Sequence, residues 1–502
     1  MDSIQGLAYG FGIALSMQNL LACFLGCLVG TVVGVLPGIG PIGAMALLIP
    51  STFGVNPTTA LIMLAGIYYG AMYGGSTTSI LLKMPGESAS VMTCIDGYQM
   101  ARKGRAGAAL TVAGVGSFVA GTLGVVLLML FAPALAKLAI QFGPPEYFAV
   151  AFVGLVLLSR LGESSALKSF LMVLLGLMLS TVGMDSISGL PRFTFDQIEL
   201  GQGIEMIPVV MGLYGIAEVL SITEQITGIS DVIKVKFREL FPTLVEWKRA
   251  FPPMFRGGGL GFLFGLIPGP SAIISTFASY GLEKKLSRHP EEFGKGAIEG
   301  VAGPEAANNS ATAGAFVPLL ALGIPFAPAT AVLLGALMIH GVQPGPLLMT
   351  SRPDIFWGIV ASMYIGNFML LLLNIPLVGV FANLLRLPQH FLMGIILLLC
   401  LVGTYSVNNS MLDLCILIVM GVVGYILRKF KFDMAPLVLA LVLGPMLEKS
   451  LRQSLFLTRG EILPLITRPI TAGLLVACLV ALAMPYLIRA FRSGRVNKKT
   501  PI

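Results

Sequence analysis

Gly34-Val35-Leu36-Pro37-Gly38-Ile39-Gly40-Pro41 closes an apolar run that extends from residue 16 to residue 36. A helix needs about 20 mostly apolar residues to cross the hydrocarbon core of a bilayer. The run is therefore a candidate span, and Pro37-Gly38 is a break at its end. Proline removes a backbone donor, so the peptide groups around it leave the i→i−4 ladder. In hydrocarbon each unpaired group costs several kcal/mol unless it faces protein or water. A break of this kind lines a cavity or packs inside protein.

The same arrangement recurs at Gly265-Leu266-Ile267-Pro268-Gly269-Pro270-Ser271. A polar patch and a second proline break follow each copy. In the first they are Gly74-Gly75-Ser76-Thr77-Thr78-Ser79 and Met84-Pro85-Gly86-Glu87-Ser88. In the second they are Asn308-Asn309-Ser310-Ala311-Thr312 and Gly323-Ile324-Pro325-Phe326-Ala327. Two unrelated kinks in a long membrane protein are the alternative reading.

The chain of 502 residues is 56% apolar and 11% charged, with a net charge of +8. Soluble domains carry roughly 25% charged residues. With a mean hydropathy of +0.89, the composition excludes a soluble enzyme, a disordered chain and a nucleic-acid module. Long unalternating apolar runs point to helices rather than a barrel. The expected fold is an all-α polytopic membrane protein with roughly ten to fourteen membrane segments. It carries broken or re-entrant helices in an inverted-topology repeat. The expected divisions are 1–225 for the first repeat half, 226–256 for a basic cytoplasmic connection, 257–400 for the second half, and 401–502 for C-terminal helices and a basic tail.

Basic clusters mark cytoplasmic sides. They comprise Arg102, Lys103 and Arg105; Lys234, Lys236, Arg238, Lys248, Arg249 and Arg256; Lys284, Lys285, Arg288 and Lys295, diluted by Glu283, Glu291 and Glu292; Arg428, Lys429 and Lys431; and the tail Arg489, Arg492, Arg495, Lys498 and Lys499. The acidic stretch 185–203 reads as external. The second copy follows the strongest basic loop and enters from the cytoplasm, whereas the first enters from outside. Residues 1–19 lack a basic n-region and a small-residue cleavage site, so no cleaved signal peptide is expected. The six cysteines show no disulfide or metal spacing.

Inverted repeats with broken helices at corresponding places point to a secondary-transporter site. A half-helix N-terminus offers free N–H groups and partial positive charge to a carboxylate. Half-helix carbonyls, hydroxyls and amide oxygens suit Na+. For any one Ser or Thr a bond to its own helix is the plainer reading. Paired Asn308-Asn309 is the sharpest signal, because unpaired amides facing lipid are costly. Lys83, Glu87 and Glu305 lie beside the breaks, and an ionisable group inside a membrane is a functional candidate; interfacial or structural pairing is the other possibility. No Walker A, H-E-x-x-H or G-x-S-x-G motif occurs, so neither ATP drive nor an enzyme is expected.

Gly30 to Pro41, Tyr69-Gly70-Ala71-Met72-Tyr73-Gly74-Gly75-Ser76-Thr77, Pro85-Gly86-Glu87, and Gly303-Pro304-Glu305-Ala306-Ala307-Asn308-Asn309-Ser310 with Gly323-Ile324-Pro325 resemble the large membrane subunit of tripartite tricarboxylate transporters. The resemblance implies a multi-pass protein of the bacterial inner membrane, built from a scaffold and a transport domain; the basic residues of the C-terminal tail place that tail in the cytoplasm. The resemblance further implies import of citrate-like di- or tricarboxylates driven by a cation gradient, Na+ in the usual case. A passive anion channel and an H+-coupled carboxylate transporter are the alternatives. The implied partners are a small four-helix membrane subunit, a periplasmic solute-binding protein and membrane lipid, with no nucleic acid and no cofactor beyond Na+. Carried onto this chain, the substrate would meet Pro37, Gly38, Gly40, Pro41, Gly75, Ser76, Thr77, Pro268, Gly269, Ser271, Asn308, Asn309 and Ser310. The ion would meet Thr78, Ser79, Gly86, Glu87, Glu305, Thr312, Gly323 and Pro325.

Overall fold

The computed structural model describes residues 2–36, 40–161, 165–185, 187–224, 237–384 and 389–496. In chain order the helices are α1 Ser3–Ala14, α2 Met17–Val35, α3 Gly40–Leu48, α4 Pro57–Leu82, α5 Val91–Met100, α6 Ala106–Ala139, α7 Pro144–Leu161, α8 Ala166–Ser180, α9 Met206–Val210 and α10 Ala217–Glu224. They continue with α11 Leu244–Gly265, α12 Ser271–Leu286, α13 Glu299–Leu322, α14 Pro328–Ile339, α15 Leu348–Ser351, α16 Pro353–Asn374, α17 Val378–Leu384, α18 Gln389–Asn408, α19 Met411–Lys429, α20 Ala435–Leu457, α21 Leu463–Ile466 and α22 Pro469–Val496. The protein is an all-α polytopic membrane protein; a two-stranded hairpin, Gly183–Met184 against Pro191–Arg192, is the one sheet among the described residues.

Five described helical stretches are long and apolar enough to cross a membrane: Met17–Val35, Ser88–Ala139, Met206–Glu224, Pro353–Asn374 and Met411–Lys429. Two of the longest helices, α4 and α13, are not among them. Every residue of α13 is buried, as is nearly all of α4. Shielded from lipid, both can carry Gly, Ser, Thr and Asn, which lower their hydropathy.

By packing, the chain divides into two compact units, Met1–Ile140 with Glu205–Phe430, and Gln141–Ile204 with Lys431–Ile502. The repeat halves read from sequence are a division by likeness, so the two divisions answer different questions.

In the larger unit, α2 packs along α4 and α11 along α13. Both contacts are glycine ladders of the same spacing, Gly26, Gly30 and Gly34 on α2 and Gly257, Gly261 and Gly265 on α11. A Cβ at these glycines would overlap the carbonyl oxygens of Met63, Ile67 and Ala71 in the first pair, and of Gly303, Ala307 and Ala311 in the second. Small residues at four-residue spacing let helix backbones touch, which is how membrane helices gain packing energy. The 240-residue shift that takes Met63, Ile67 and Ala71 to Gly303, Ala307 and Ala311 also takes Lys83 to Gly323. Those last two residues end α4 and α13 in left-handed conformation, with φ of 60° and 71°.

Gly261→Leu is expected to remove most folded protein, because overpacking a tight contact costs about 1–3 kcal/mol or more. Gly259→Leu, on the same helix but with open space at its Cβ, should fold as wild type. Monodisperse yield in size-exclusion chromatography distinguishes them; equal yields would show that the ladder tolerates side chains.

Several residues of the basic clusters also tie helices together. Arg249 bonds Glu299 at 2.8 Å and Glu292 at 2.5 Å, Arg256 bonds Glu283 at 2.9 Å, and Arg105 pairs with Glu246. The first part of the expected 226–256 connection, up to residue 236, lies outside the described residues.

In the smaller unit α20 packs on α7 and α8, and α22 on α7. Asp185, at the hairpin, accepts from the backbone N–H groups of Ser188 (2.9 Å) and Ile187 (2.8 Å) and from Arg452 (2.6 Å). The Ser188 N–H, then Arg452, hold its carboxyl well below the usual range.

Candidate functional site

α2 ends at Val35 and α3 begins at Gly40; α11 ends at Gly265 and α12 begins at Ser271. Both helices therefore stop where the sequence places breaks. Pro37 and Gly38 lie outside the described residues. Pro268 and Gly269 are buried, and the Gly269 N–H donates to the carbonyl of Phe326 at 2.8 Å, joining the third break to the fourth. The first pair meets likewise: a Cβ on Gly86 would lie 2.6 Å from the Gly75 Cα and would overlap the Gly34 carbonyl. Contacts also cross between copies. α3 packs on α14, and α12 packs on the turn Ser88–Ser90 that opens α5.

Between these breaks α4, α5 and α13 bring together a buried polar cluster. Glu305 is 1% exposed. One carboxyl oxygen accepts from Ser76 Oγ at 2.5 Å and the other from Thr93 Oγ1. Among the described residues no Lys, Arg or His forms an ion pair with it. Glu87 accepts from the Ala89 N–H at 2.7 Å and from Asn308 Nδ2 at 3.0 Å, so the second break is tied to the middle of α13. Asn309 Nδ2 donates to Ser117 Oγ on α6 at 2.7 Å and to the Glu305 carbonyl at 3.2 Å.

Three oxygens on this turn are buried without a hydrogen-bond partner: Asn308 Oδ1, Asn309 Oδ1 and Ser310 Oγ. Native proteins leave few such atoms, and each needs an explanation. They do not all face one way. Asn308 faces Glu87, while Asn309 and Ser310 face α6, where a Cβ on Gly124 would lie 3.0 Å from Ser310 Oγ. Tyr69, with another unpartnered hydroxyl, stacks on Phe316 at 5.8 Å between ring centroids. Tyr73 donates to Asn367 Oδ1 on α16 at 2.9 Å.

Other sequence candidates have structural partners. Thr78 Oγ1 donates to the Val35 carbonyl at 2.5 Å, holding the end of α2. Ser79 Oγ donates to the Gly75 carbonyl and to Ser90 Oγ, both at 2.9 Å, and Thr312 back-bonds to Asn308 at 3.2 Å. Thr77 and Ser271 are buried, Gly40 and Pro41 are half-buried, and Gly323 and Pro325 shape the turn that ends α13. The two polar patches do not occupy matching places. In the register of the ladders Ser76 corresponds to Phe316, not to Asn308, so the copies supply different kinds of group from different positions of the repeat. Thr93, Ser90 and Ser117 were missed from the sequence. Thr93 stands three residues before Asp96 on a short helix just after a break, which was the available signal.

The Tripartite tricarboxylate transporter TctA family matches residues 20–439, which include all four breaks and the polar cluster. The chain belongs to that family. A relative from Agrobacterium vitis, named as an uncharacterized 52.8 kDa protein in the TAR-I ttuC' 3' region, is 47% identical over 488 residues, 97% of each chain. A second from the same organism, named for the TAR-II ttuC' 3' region, is 46% identical over 235 residues, 47% of this chain and 97% of its own. No solved structure matches. The TctA family is a transporter family, and this multi-pass chain belongs with it.

Proposed function

We propose that this chain is the large membrane subunit of a binding-protein-dependent tripartite system in the bacterial inner membrane, and that it imports organic di- or tricarboxylates together with a cation, Na+. A small four-helix subunit and a periplasmic binding protein complete the system, and the C-terminal tail lies in the cytoplasm. The repeat is inverted, α3 of one half meeting α14 of the other and α12 meeting the turn before α5, and the remaining helices form the scaffold.

One observation carries the reading: a carboxyl buried at 1% exposure, a turn away from three unpartnered oxygens. An uncompensated buried carboxylate is strongly disfavoured. Hard monovalent cations are held by carboxylate, amide and hydroxyl oxygens, the donor set found here. Glu305 and Asn308, on the side of α13 that meets α4 and Glu87, would hold Na+, with Thr78, Ser79, Glu87 and Thr312 behind them; the ion would supply positive charge that offsets Glu305 and an incoming acid. The start of α3 at Gly40 and the Ser271 hydroxyl at the start of α12, with Gly75, Ser76 and Thr77, would orient the carboxylate.

Asn309→Ala is expected to lower uptake by about ten- to a hundred-fold, since the loss of one buried polar partner costs about 1–3 kcal/mol. Uptake of labelled carboxylates by cells carrying the whole system, with and without Na+, tests both points. Uptake that ignores Na+ but collapses with the pH gradient would favour H+ coupling, with Glu305 as carrier. Flux without saturable counterflow would indicate a channel.

A further inference from the structure

A cavity of about 270 Å³ opens between the end of α10 and the end of α19, lined by Glu218, Glu224, Tyr425, Arg428 and Lys429. It lies in the larger unit, and none of these residues belongs to the polar cluster above. Arg428 pairs with Glu218, which is 7% exposed. Lys429 pairs with Glu224 at 2.7 Å and sits over the Tyr425 ring, 4.7 Å from its centroid.

The two pairs differ. Arg428–Glu218 is mostly buried, and opening it would strand a charge. Lys429–Glu224 is half-exposed on both sides, with side chains 52% and 51% accessible, and such a pair contributes little. Among the described residues Nη1 is the one nitrogen of Arg428 that makes a hydrogen bond, so the rest of its fork is available to an anion.

The cavity stands at the C-terminal end of a candidate span, α19. α19 is the least buried of the candidate spans, with 28% of its apolar window covered. Its exposed Val419, Val422 and Ile426 form a stripe at helical spacing, and Lys429 continues that stripe. An acyl chain lying on the stripe would bring its headgroup to Lys429.

We infer that this cavity seats the headgroup of a phospholipid bearing a primary amine, phosphate on Lys429 and the free fork of Arg428, ammonium on Glu224. The paired charges select a zwitterion. A purely anionic group would take Lys429 and leave Glu224 unpaired, whereas a zwitterion satisfies both. The carboxylate selects an amine with N–H donors, since a quaternary ammonium offers none.

The test uses the full chain, delipidated in detergent and titrated with dioleoyl phosphatidylethanolamine, phosphatidylcholine or phosphatidylglycerol, with bound lipid read by native mass spectrometry. Phosphatidylethanolamine is expected to bind about five- to ten-fold more tightly than the other two, the scale of a charge-assisted hydrogen bond. Glu224→Gln should erase that preference, Lys429→Ala should weaken all three lipids while leaving phosphatidylethanolamine ahead, neither should move the melting temperature, and the swap Glu224→Lys with Lys429→Glu should restore the preference. Equal binding of the three lipids, preference for phosphatidylglycerol, unaltered selectivity in Glu224→Gln, or unaltered affinity in Lys429→Ala would overturn the proposal. Equally tight binding of soluble glycerophosphoethanolamine would overturn the lipid assignment in favour of a free phosphoester.

Discussion

Glu305→Ala abolishes carboxylate uptake while the protein still inserts and folds: this is the largest functional effect expected. The carboxyl touches α4 through Ser76 and α5 through Thr93 while belonging to α13. Its removal leaves two buried hydroxyls without their acceptor, at about 1–3 kcal/mol each. It also removes a buried charge, whose desolvation opposes folding. The two effects offset in stability and do not offset in function, so melting temperature should change little while uptake is lost. Glu305→Gln keeps the shape and gives up the charge. In that variant the Na+ concentration for half-maximal uptake should rise about ten- to a hundred-fold, the scale of one or two charge-assisted contacts. Uptake in cells carrying the whole system, normalised to protein level, reads both variants. Near-wild-type transport by both would remove Glu305 from the site.

The largest effect on stability is expected from Asp96→Ala. Asp96 is fully buried on α5, and its Oδ1 accepts three backbone N–H groups, from Gly294 (2.8 Å), Gly296 (2.7 Å) and Ala297 (2.9 Å). Its Oδ2 accepts the Tyr280 hydroxyl at 2.8 Å. Gly294 and Gly296 have φ of 83° and 107°, conformations open to glycine and strained for other residues. The carboxylate thus stands in for a helical turn ahead of α13. Truncation strands four donors at once, and about 3–5 kcal/mol is expected, the range for breaking a buried charged network. Asp96→Asn keeps an acceptor for the three N–H groups and should cost far less. Thermal unfolding of the purified variants checks the order; an Asp96→Ala protein that melts with wild type would show that the loop is held by other contacts.

The breaks were legible because Pro-Gly inside an apolar run has few physical outcomes. Asn308-Asn309 and Glu305 were legible for a related reason, the expense of polar groups in a membrane. What they touch was not. Thr93 meets Glu305 across 212 residues, and nothing in the spacing of either segment encodes that meeting. The glycine ladders were visible as two runs of four-residue spacing but were passed over in favour of the prolines behind them. The likeness of the polar patches misled in one respect: it suggested equal places, whereas packing sets Ser76 opposite Phe316 in register. Arg249 and Arg256 read from sequence as signals of sidedness, and their pairing with Glu292, Glu299 and Glu283 depends on helices that loop counting does not see.

Backbones in direct contact leave no room for two helices to shift without breaking many contacts at once. Spin labels or fluorophores on α2 and α4 should therefore keep one separation through a whole transport cycle, and labels on α11 and α13 another. Those pairs are internal rulers. Any change in distance during turnover should be sought with one label on each pair.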